Sequence, residues 1–256
     1  MSKIVERTLD FLELFARQKR PLSLSDISRL LNIPFSSCHD VLQALQERGF
    51  IYEVAPRGGY YPTLRMFETG RVIAENDPVL LRAEHTLREL RDAYDETVLL
   101  AKITGLRGTY LISLDSSQPL RVQLKVGDVV TSLHAASGGK TILGSLSDEE
   151  LDKVLEEIEL NRFTAQTVTD KASLRQIVED GRRRGYYVNN GESIEGLTTV
   201  SIPVRWQKCR YIMTLAAPTA RLQSRIEETA GHASRRPETG DENPALKRRG
   251  ARARYV

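Results

Sequence analysis

Residues 32–50, NIPFSSCHDVLQALQERGF, carry the signals of one short helix with two contrasting faces. Pro34 suits the first turn of a helix, and Gly49 can take the left-handed conformation that ends one. Four residues at helical spacing predict a buried apolar face: Cys38, Val41, Leu42 and Leu45. The other face is polar apart from Phe35, so the function of this segment depends on what that face contacts.

The flanking segments predict a small domain around this helix. A first helix carries apolar residues at helical spacing that predict its buried face: Val5, Leu9, Leu12 and Ala16. A second begins where Ser23 or Ser25 can cap free N–H groups. Two strands follow Gly49, FIYEV (50–54) and YYPT (60–63), joined by the turn APRGG. Three helices followed by a hairpin is the order of a winged helix-turn-helix.

Apolar residues recur at helical spacing over residues 67–94, with a break at residues 76–78 that predicts two helices. The pattern changes after the second of these. Six strands are predicted beyond it: TVLLAKIT (97–104), GTYLISLDS (108–116), LRVQLKV (120–126), YYVNN (186–190), LTTVSIPV (197–204) and RYIMTLAAP (210–218). Helices are predicted at HAASGGKTILGSL (134–146), DEELDKVLEEIE (148–159) and ASLRQIVEDGRRRG (172–185). Antiparallel hairpins mixed with helices indicate a second domain of the α+β class.

Composition is that of a globular protein. The chain has 256 residues, of which 40% are hydrophobic and 28% charged, enough for two modest domains. Its two cysteines, Cys38 and Cys209, are far apart and fit a reducing compartment. No uncharged signal-peptide core and no run of about eighteen apolar residues occurs. We therefore expect a cytoplasmic protein that makes no contact with a membrane.

Positive charge is concentrated at the C-terminus. Residues 231–256 contain seven Lys or Arg against three Asp or Glu, whereas residues 1–70 contain nine against eight. Charge alone therefore does not identify a nucleic-acid-binding protein. The 231–256 segment has almost no large apolar residues and is predicted to be a basic, disordered tail.

The polar face of the quoted helix fits DNA recognition. The N-terminal residues of a recognition helix contact base edges and phosphates, and Ser, His and Gln can hydrogen-bond to both. Arg57, at the hairpin tip, can reach a phosphate or a minor groove. The predicted DNA-binding residues are Ser25, Phe35, Ser36, Ser37, His39, Asp40, Gln43 and Arg57. An ordinary solvated helix face is the alternative that composition leaves open.

No catalytic motif is complete. SGGKT (137–141) resembles the end of a phosphate-binding loop, but the P-loop pattern requires a glycine where His134 stands. The patterns GxSxG, HExxH and GxGxxG are absent, the four histidines are scattered, and no nucleophile accompanies Glu192 or Glu195. We therefore expect no enzyme activity, no catalytic residue, no metal and no cofactor.

Several blocks, in order, resemble the IclR family of bacterial transcriptional regulators. Residues 22–51, LSLSDISRLLNIPFSSCHDVLQALQERGFI, are similar to its DNA-binding segment. Residues 126–146, VGDVVTSLHAASGGKTILGSL, resemble its vGxxxPlhasaxGKaxLA block. Residues 182–204, RRRGYYVNNGESIEGLTTVSIPV, resemble its rrxGyavdxgExxxGvxxiaaPV block. Residues 75–100 resemble its interdomain helix and first strand, so the similarity extends over roughly residues 3–225.

The resemblance implies a domain plan and a mode of action. It implies a winged helix-turn-helix domain (1–66), a linker helix (67–77), a GAF-like α/β effector-binding and oligomerisation domain (78–230) and the basic tail (231–256). Such proteins bind palindromic operators in double-stranded DNA as dimers, often as dimers of dimers. They control small-molecule catabolism as repressors or activators, in response to a small-molecule effector.

The resemblance also implies an effector pocket. Carried over position by position, it falls on Thr131, Ser137, Gly138, Asn189, Thr199, Thr214 and Ala216. Small and hydroxyl side chains with one amide suit a small organic acid or sugar-derived effector, and the N–H groups of Gly138 and Gly139 can hold an anion. The residues alone equally allow ordinary strand threonines and a tight glycine turn.

The sequence departs from the family pattern in the recognition helix and at the C-terminus. Phe35 stands where the family usually has a basic residue, and Asp40 where an arginine is common. Phosphates repel an aspartate, although it can accept a hydrogen bond from cytosine. The family's final amphipathic helix is replaced by the basic tail. The alternative function is therefore a ligand sensor or protein-interaction module with weak or no sequence-specific DNA binding.

Overall fold

The computed structural model describes residues 3–206 and 209–234. These residues form two compact units, one ending at Asp77 and one beginning at Pro78. The first contains α1 (Lys3–Gln18), α2 (Leu24–Leu31), α3 (Phe35–Glu47), β1 (Ile51–Glu53), β2 (Tyr60–Pro62) and α4 (Arg65–Glu75). Because β1 and β2 pair antiparallel after three helices, the predicted winged helix-turn-helix is confirmed.

Local hydrogen bonds set the turn between α2 and α3. The Ser23 hydroxyl accepts from the Asp26 N–H, and the Asp26 carboxylate accepts from the Ser23 N–H, which is a capping box. Asn32 ends α2 in the left-handed conformation, with φ of 52°. Of the two serines that were candidates for the cap, Ser23 therefore has this role, and Ser25 is exposed.

The core of the first unit lies where α1, α2 and α3 meet. Its buried residues are Phe11, Leu14, Phe15, Leu22, Ile27, Cys38, Val41, Leu42 and Ile51. The predicted apolar face of α3 is thus confirmed, with Leu45 at its margin. The predicted buried face of α1 is wrong, because Val5 is 59% and Leu9 55% exposed. The larger rings of Phe11 and Phe15 fill the core instead, since they remove more apolar area from water.

The second unit is built on one antiparallel sheet. Its elements are α5 (Pro78–Tyr94), β3 (Thr97–Thr104), β4 (Arg107–Leu114), α6 (Ser137–Gly144), α7 (Asp148–Glu157), α8 (Lys171–Arg184), β5 (Tyr187–Asn190), β6 (Leu197–Trp206), β7 (Cys209–Pro218), α9 (Thr219–Leu222) and α10 (Ile226–Ser234). The strands lie in the order β4-β3-β7-β6-β5. Among residues 3–206 and 209–234, no helix is both long and apolar enough to cross a bilayer.

Both faces of this sheet are covered by helices. Val98, Val200 and Leu215 point to the face against which α5 and α10 pack. The alternate residues point to the other face, where Leu99 and Ala216 meet α6. Mixed helices and sheet in this arrangement confirm the predicted α+β class.

The predicted strand at residues 120–126 is wrong. This segment has no strand structure, so the sheet contains five strands. Its alternating apolar pattern arises because Val122 and Leu124 pack, partly buried, against the sheet. The edge of β4 pairs with a later segment instead, where the Tyr110 N–H donates to the Asp128 carbonyl oxygen at 3.0 Å.

The predicted start of the tail at residue 231 also needs correction. Helix α10 continues to Ser234, because Ala230 and Ala233 pack in the core beneath it. A final helix is therefore present, contrary to the expectation that the basic tail replaces it. Residues 235–256 of the predicted tail lie outside the described residues.

Gly139, in α6, leaves no room for a side chain. A Cβ there would overlap the Ser132 carbonyl oxygen and the Leu133 backbone, so we expect Gly139→Ala to destabilise the second unit by about 1–3 kcal/mol. Gly231→Ala is the matched control, because nothing lies within 4 Å of its Cβ position and alanine favours helix by roughly 0.5–1 kcal/mol. Urea unfolding followed by the fluorescence of Trp206, the single tryptophan, measures both changes. Equal effects of the two substitutions on the free energy of unfolding would contradict the close contact between α6 and the segment that contains Ser132 and Leu133.

Candidate nucleic-acid interface and effector site

The polar face of α3 is accessible. Phe35, at the start of the helix, is 55% exposed. Arg57 lies at the tip of the β1–β2 hairpin in a left-handed conformation with φ of 61°, held by its N–H donating to the Glu53 carboxylate at 2.9 Å. Of the predicted DNA-binding residues, Ser37 is half-buried and the others are exposed: Ser25, Phe35, Ser36, His39, Asp40, Gln43 and Arg57.

Helix α3 carries no Lys or Arg. Its charged residues are Asp40 and Glu47, and the Gln43 amide donates to the Glu47 carboxylate at 2.9 Å. Pro34, which precedes the helix, provides no side-chain acceptor for the first-turn N–H groups. These N–H groups and the positive end of the helix dipole are the groups on α3 that suit a phosphate.

Four buried hydroxyl groups form a connected cluster between α6 and the sheet. Ser137 Oγ lies 2.6 Å from Thr199 Oγ1 and 2.7 Å from Ser201 Oγ. Ser201 Oγ lies 2.8 Å from Thr214 Oγ1. We call Ser137, Thr199, Ser201 and Thr214 the hydroxyl cluster. The structure thus brings together three of the predicted effector residues, from α6, β6 and β7.

The other predicted effector residues have different surroundings. Ala216 is buried beside Thr199 on the neighbouring strand, and Gly138 lies in the first turn of α6. The side-chain amide oxygen of Asn189, Oδ1, accepts from the N–H groups of Glu192 and Ser193, so it holds the turn after β5. Thr131 is exposed, in the segment before α6, and forms none of the cluster's hydrogen bonds.

Ser201 was missing from the predicted set, although it links the cluster. It is completely buried and bonds to both α6 and β7. Its signal in the sequence is its position two residues after Thr199, because alternate residues of a strand share one face.

A buried ion pair lies one turn along α6 from this cluster. Lys140 is 1% exposed, and its Nζ donates to Glu192 Oε1 at 2.5 Å and to the Val188 carbonyl oxygen at 2.8 Å. Burial lowers the pKa of Lys140, and the nearby Glu192 carboxylate opposes that shift. The pair fixes α6 to the turn that follows β5.

The loop between α7 and α8 closes over the same turn. Thr164 Oγ1 donates to the Gly191 carbonyl oxygen at 2.7 Å, and Thr167 Oγ1 donates to that of Glu192 at 2.6 Å. His134 Nε2 lies 2.9 Å from the Asn161 carbonyl oxygen, which ties the loop to the segment before α6. In the part of the chain that the structure describes, no group of three or more His, Cys, Asp or Glu is arranged to hold a metal ion.

A winged helix with an accessible third helix, followed by a sheet domain with a polar buried site, defines the class of DNA-binding regulators with an effector domain. The IclR C-terminal model of bacterial transcriptional regulators matches residues 72–235, and the IclR helix-turn-helix model matches residues 4–55. The chain therefore belongs to the IclR family of transcriptional regulators.

Individual relatives agree with this assignment. The HTH-type transcriptional regulator XynR of Escherichia coli K12 is 28% identical over 224 residues, 88% of each chain. The crystal structure of Thermotoga maritima IclR has a TM-score of 0.76 at 23% identity and covers 93% of this chain and 97% of its own. An IclR homologue of Microbacterium hydrocarbonoxydans complexed with 4-hydroxybenzoate has a TM-score of 0.69 at 22% identity. The match covers 90% of this chain and 97% of the homologue. XynR is a transcriptional regulator, and the two crystal structures share the fold of this chain.

Removing one member of the Lys140–Glu192 pair should destabilise the effector domain. Lys140→Met leaves the Glu192 carboxylate buried without its counter-ion, which costs about 3–5 kcal/mol. The double variant Lys140→Met/Glu192→Leu should recover most of that loss, because no unpaired charge remains. Urea unfolding followed by Trp206 fluorescence measures the free energy of unfolding.

The matched control is Arg183→Met, which removes an exposed ion pair with Asp180. Exposed ion pairs contribute at most about 1 kcal/mol to the free energy of unfolding. If Lys140→Met cost no more than Arg183→Met, the buried pair would not hold α6 to the turn after β5.

Proposed function

We propose that this chain binds a palindromic operator as a dimer and controls catabolic genes in response to a small organic acid or a sugar-derived effector. The observation that carries the proposal is the exposed polar face of α3 within a winged helix. We place its action in the cytoplasm, where bacterial DNA lies, and assign it no catalytic role. The effector biases the relative placement of two winged helices in the dimer, and a palindrome favours one spacing.

The geometry of α3 supports recognition through neutral groups. Ser36, Ser37, His39 and Gln43 offer donors and acceptors to base edges, and Arg57 on the hairpin anchors a phosphate. The absence of Lys and Arg from α3 is the observation that favours the second candidate function, a ligand sensor that acts through a protein partner.

Exposed apolar side chains on the first unit support self-association. Val5 and Leu9, with the partly buried Leu12, lie along the face of α1 that the core does not use. Helix α4 buries no residue and exposes Phe67 by 60% and Ile73 by 67%. Because soluble monomers rarely leave large apolar patches uncovered, we assign these surfaces to contacts between copies of the chain, in a homodimer or a homotetramer.

The hydroxyl cluster supports a ligand rich in oxygen. Its four hydroxyl groups both donate and accept hydrogen bonds, and no side chain caps the first-turn N–H groups of α6, which suits a carboxylate. The 4-hydroxybenzoate complex of the Microbacterium homologue supports the organic-acid class. We keep Thr131, Ser137, Gly138, Asn189, Thr199, Thr214 and Ala216 as the proposed effector-binding set and add Ser201.

DNA recognition is tested with a labelled duplex from the upstream intergenic region of the chain's own gene and a scrambled duplex. We expect the native duplex alone to bind tightly, with two or four chains per duplex, and binding to weaken as salt rises. Ser37→Ala/Gln43→Ala should reduce the discrimination between the duplexes by about 10-fold or more, because each lost base contact costs roughly 1–3 kcal/mol. Fluorescence anisotropy measures these affinities.

Gln176→Ala is the control, because Gln176 forms an equivalent hydrogen bond to Asp180 on helix α8, at 3.0 Å. It should leave discrimination unchanged. Equal, weak binding of both duplexes by the unaltered chain would favour the sensor without sequence-specific DNA binding. Unchanged discrimination in the double variant would remove Ser37 and Gln43 from the recognition surface.

The effector site is tested with two neighbouring threonines on β6 whose side chains point to opposite faces. Thr199→Val removes a hydroxyl from the hydroxyl cluster and should weaken the ligand response by roughly 2- to 12-fold, the effect of one hydrogen bond. Thr198→Val removes another buried hydroxyl, which is bonded to Asn190 at 2.9 Å and to Thr219 at 3.0 Å, and should leave the response unchanged. The measurement is release of the duplex by 4-hydroxybenzoate or gluconate in the anisotropy assay. Equal responses in both variants would place the ligand elsewhere.

A further inference from the structure

A cavity lies at the opposite end of α6 from the hydroxyl cluster. It has a volume of about 190 Å³ and is bounded by the C-terminal ends of α6 and α8 and by the adjoining ends of β6 and β7. Gly144 and Gly181 form part of its wall, and the Tyr187 ring lies so close to both that a Cβ on either would overlap it. Ile103 and Pro203 supply further apolar surface.

Three arginines line this cavity. Arg205 on β6 and Arg210 on β7 stand directly opposite each other in the strand register. They share the face of the hydroxyl cluster, because Arg205 lies four residues after Ser201 and Arg210 four before Thr214. Two like charges directly opposite each other destabilise a strand pair. An anion between them would reverse that effect.

The guanidinium groups differ in what they already bind. Arg182 uses all three nitrogens, on the carbonyl oxygens of Gly144 and Leu146 and on the Asp148 carboxylate. Arg210 uses Nη1 alone, on Ser145. Among residues 3–206 and 209–234, no hydrogen bond, ion pair or ring contact of the Arg205 guanidinium is found. Arg205 and Arg210 therefore have N–H groups that can donate to a ligand in the cavity.

Two carboxylates lie near the three arginines and offset only part of their charge. Asp148 is bonded to Arg182 at 2.6 Å. Hydrogen bonds from Ser147 in the capping box of α7, and more weakly the charge of Arg210, lower the pKa of Glu150, which keeps its carboxylate charged. Three arginines against two carboxylates leave positive charge in excess beside an apolar wall.

We propose that this cavity is a second ligand site, separate from the effector site, which binds the oxyanion of a small organic acid or phosphate ester between Arg205 and Arg210. Guanidinium groups match carboxylate and phosphate oxygens with paired hydrogen bonds. The Tyr187, Ile103 and Pro203 surfaces accommodate the apolar body of the ligand. The cavity size limits that body to about one ring.

The test uses the full chain with benzoate and inorganic phosphate as probes, against chloride at matched ionic strength. Trp206 follows Arg205 directly and contacts Tyr211, with ring centroids 5.1 Å apart, so its fluorescence reports on this end of the sheet. We expect saturable changes in Trp206 emission and a rise in Tm of at least about 2 °C at saturation. Arg205→Gln and Arg210→Gln should each abolish both effects.

Arg107→Gln, an exposed arginine on β4 that does not line the cavity, is the control and should retain both effects. In chloride, Arg205→Gln should not lower the Tm, because it relieves like-charge repulsion. If benzoate saturates the site at a lower concentration than phosphate, the natural ligand is an organic acid. If phosphate saturates it at the lower concentration, the ligand is a phosphate ester. No saturable change, equal changes in all variants, or a lower Tm for Arg205→Gln in chloride would overturn the proposal. DNA binding is not part of this assay, so failure here leaves the regulator proposal intact.

Discussion

The close approach of α6 to the central sheet is the constraint on which the effector domain depends. Gly139 lets the helix backbone touch the preceding segment, and the small side chain of Ser137 lies within hydrogen-bond distance of β6. The Lys140–Glu192 pair then fixes the next turn of the helix. A larger side chain at Ser137 would push α6 from the sheet and separate the hydroxyl groups of the cluster, and one at Gly139 would push the helix from Ser132 and Leu133.

Local signals made much of the fold predictable from the sequence, whereas choices decided by tertiary packing were not. A serine cap at the start of α2, at Ser23 or Ser25, and the buried face of α3 depend on neighbouring residues and were predicted. Helix α1 has two apolar faces, and only packing decides that Phe11 is buried and Leu9 exposed. The 120–126 segment alternates like a strand, but another segment takes the hydrogen bonds of the β4 edge.

The candidate site shows the same division. Family resemblance placed Ser137, Thr199 and Thr214 together, because two of the blocks carry recognisable motifs and Thr214 was carried over by its position in the last strand. Ser201 lies in the same block as Thr199 and on the same strand face, so the alternation of the strand could have found it, but its bonds to both α6 and β7 appear only in the fold. The Lys140–Glu192 pair joins residues 52 positions apart, and no rule of local sequence connects them.

The bonding within the hydroxyl cluster has a consequence for how the proposed effector would bind. Each hydroxyl already has a partner 2.6–2.8 Å away, so an incoming oxygen replaces one hydrogen bond with another. Exchange of this kind yields little net enthalpy and favours molecules that replace several bonds at once. An effector site of the proposed kind would select ligands by the pattern of their oxygens and bind them with moderate strength. It would therefore empty again as the ligand is consumed, which would keep the proposed response reversible.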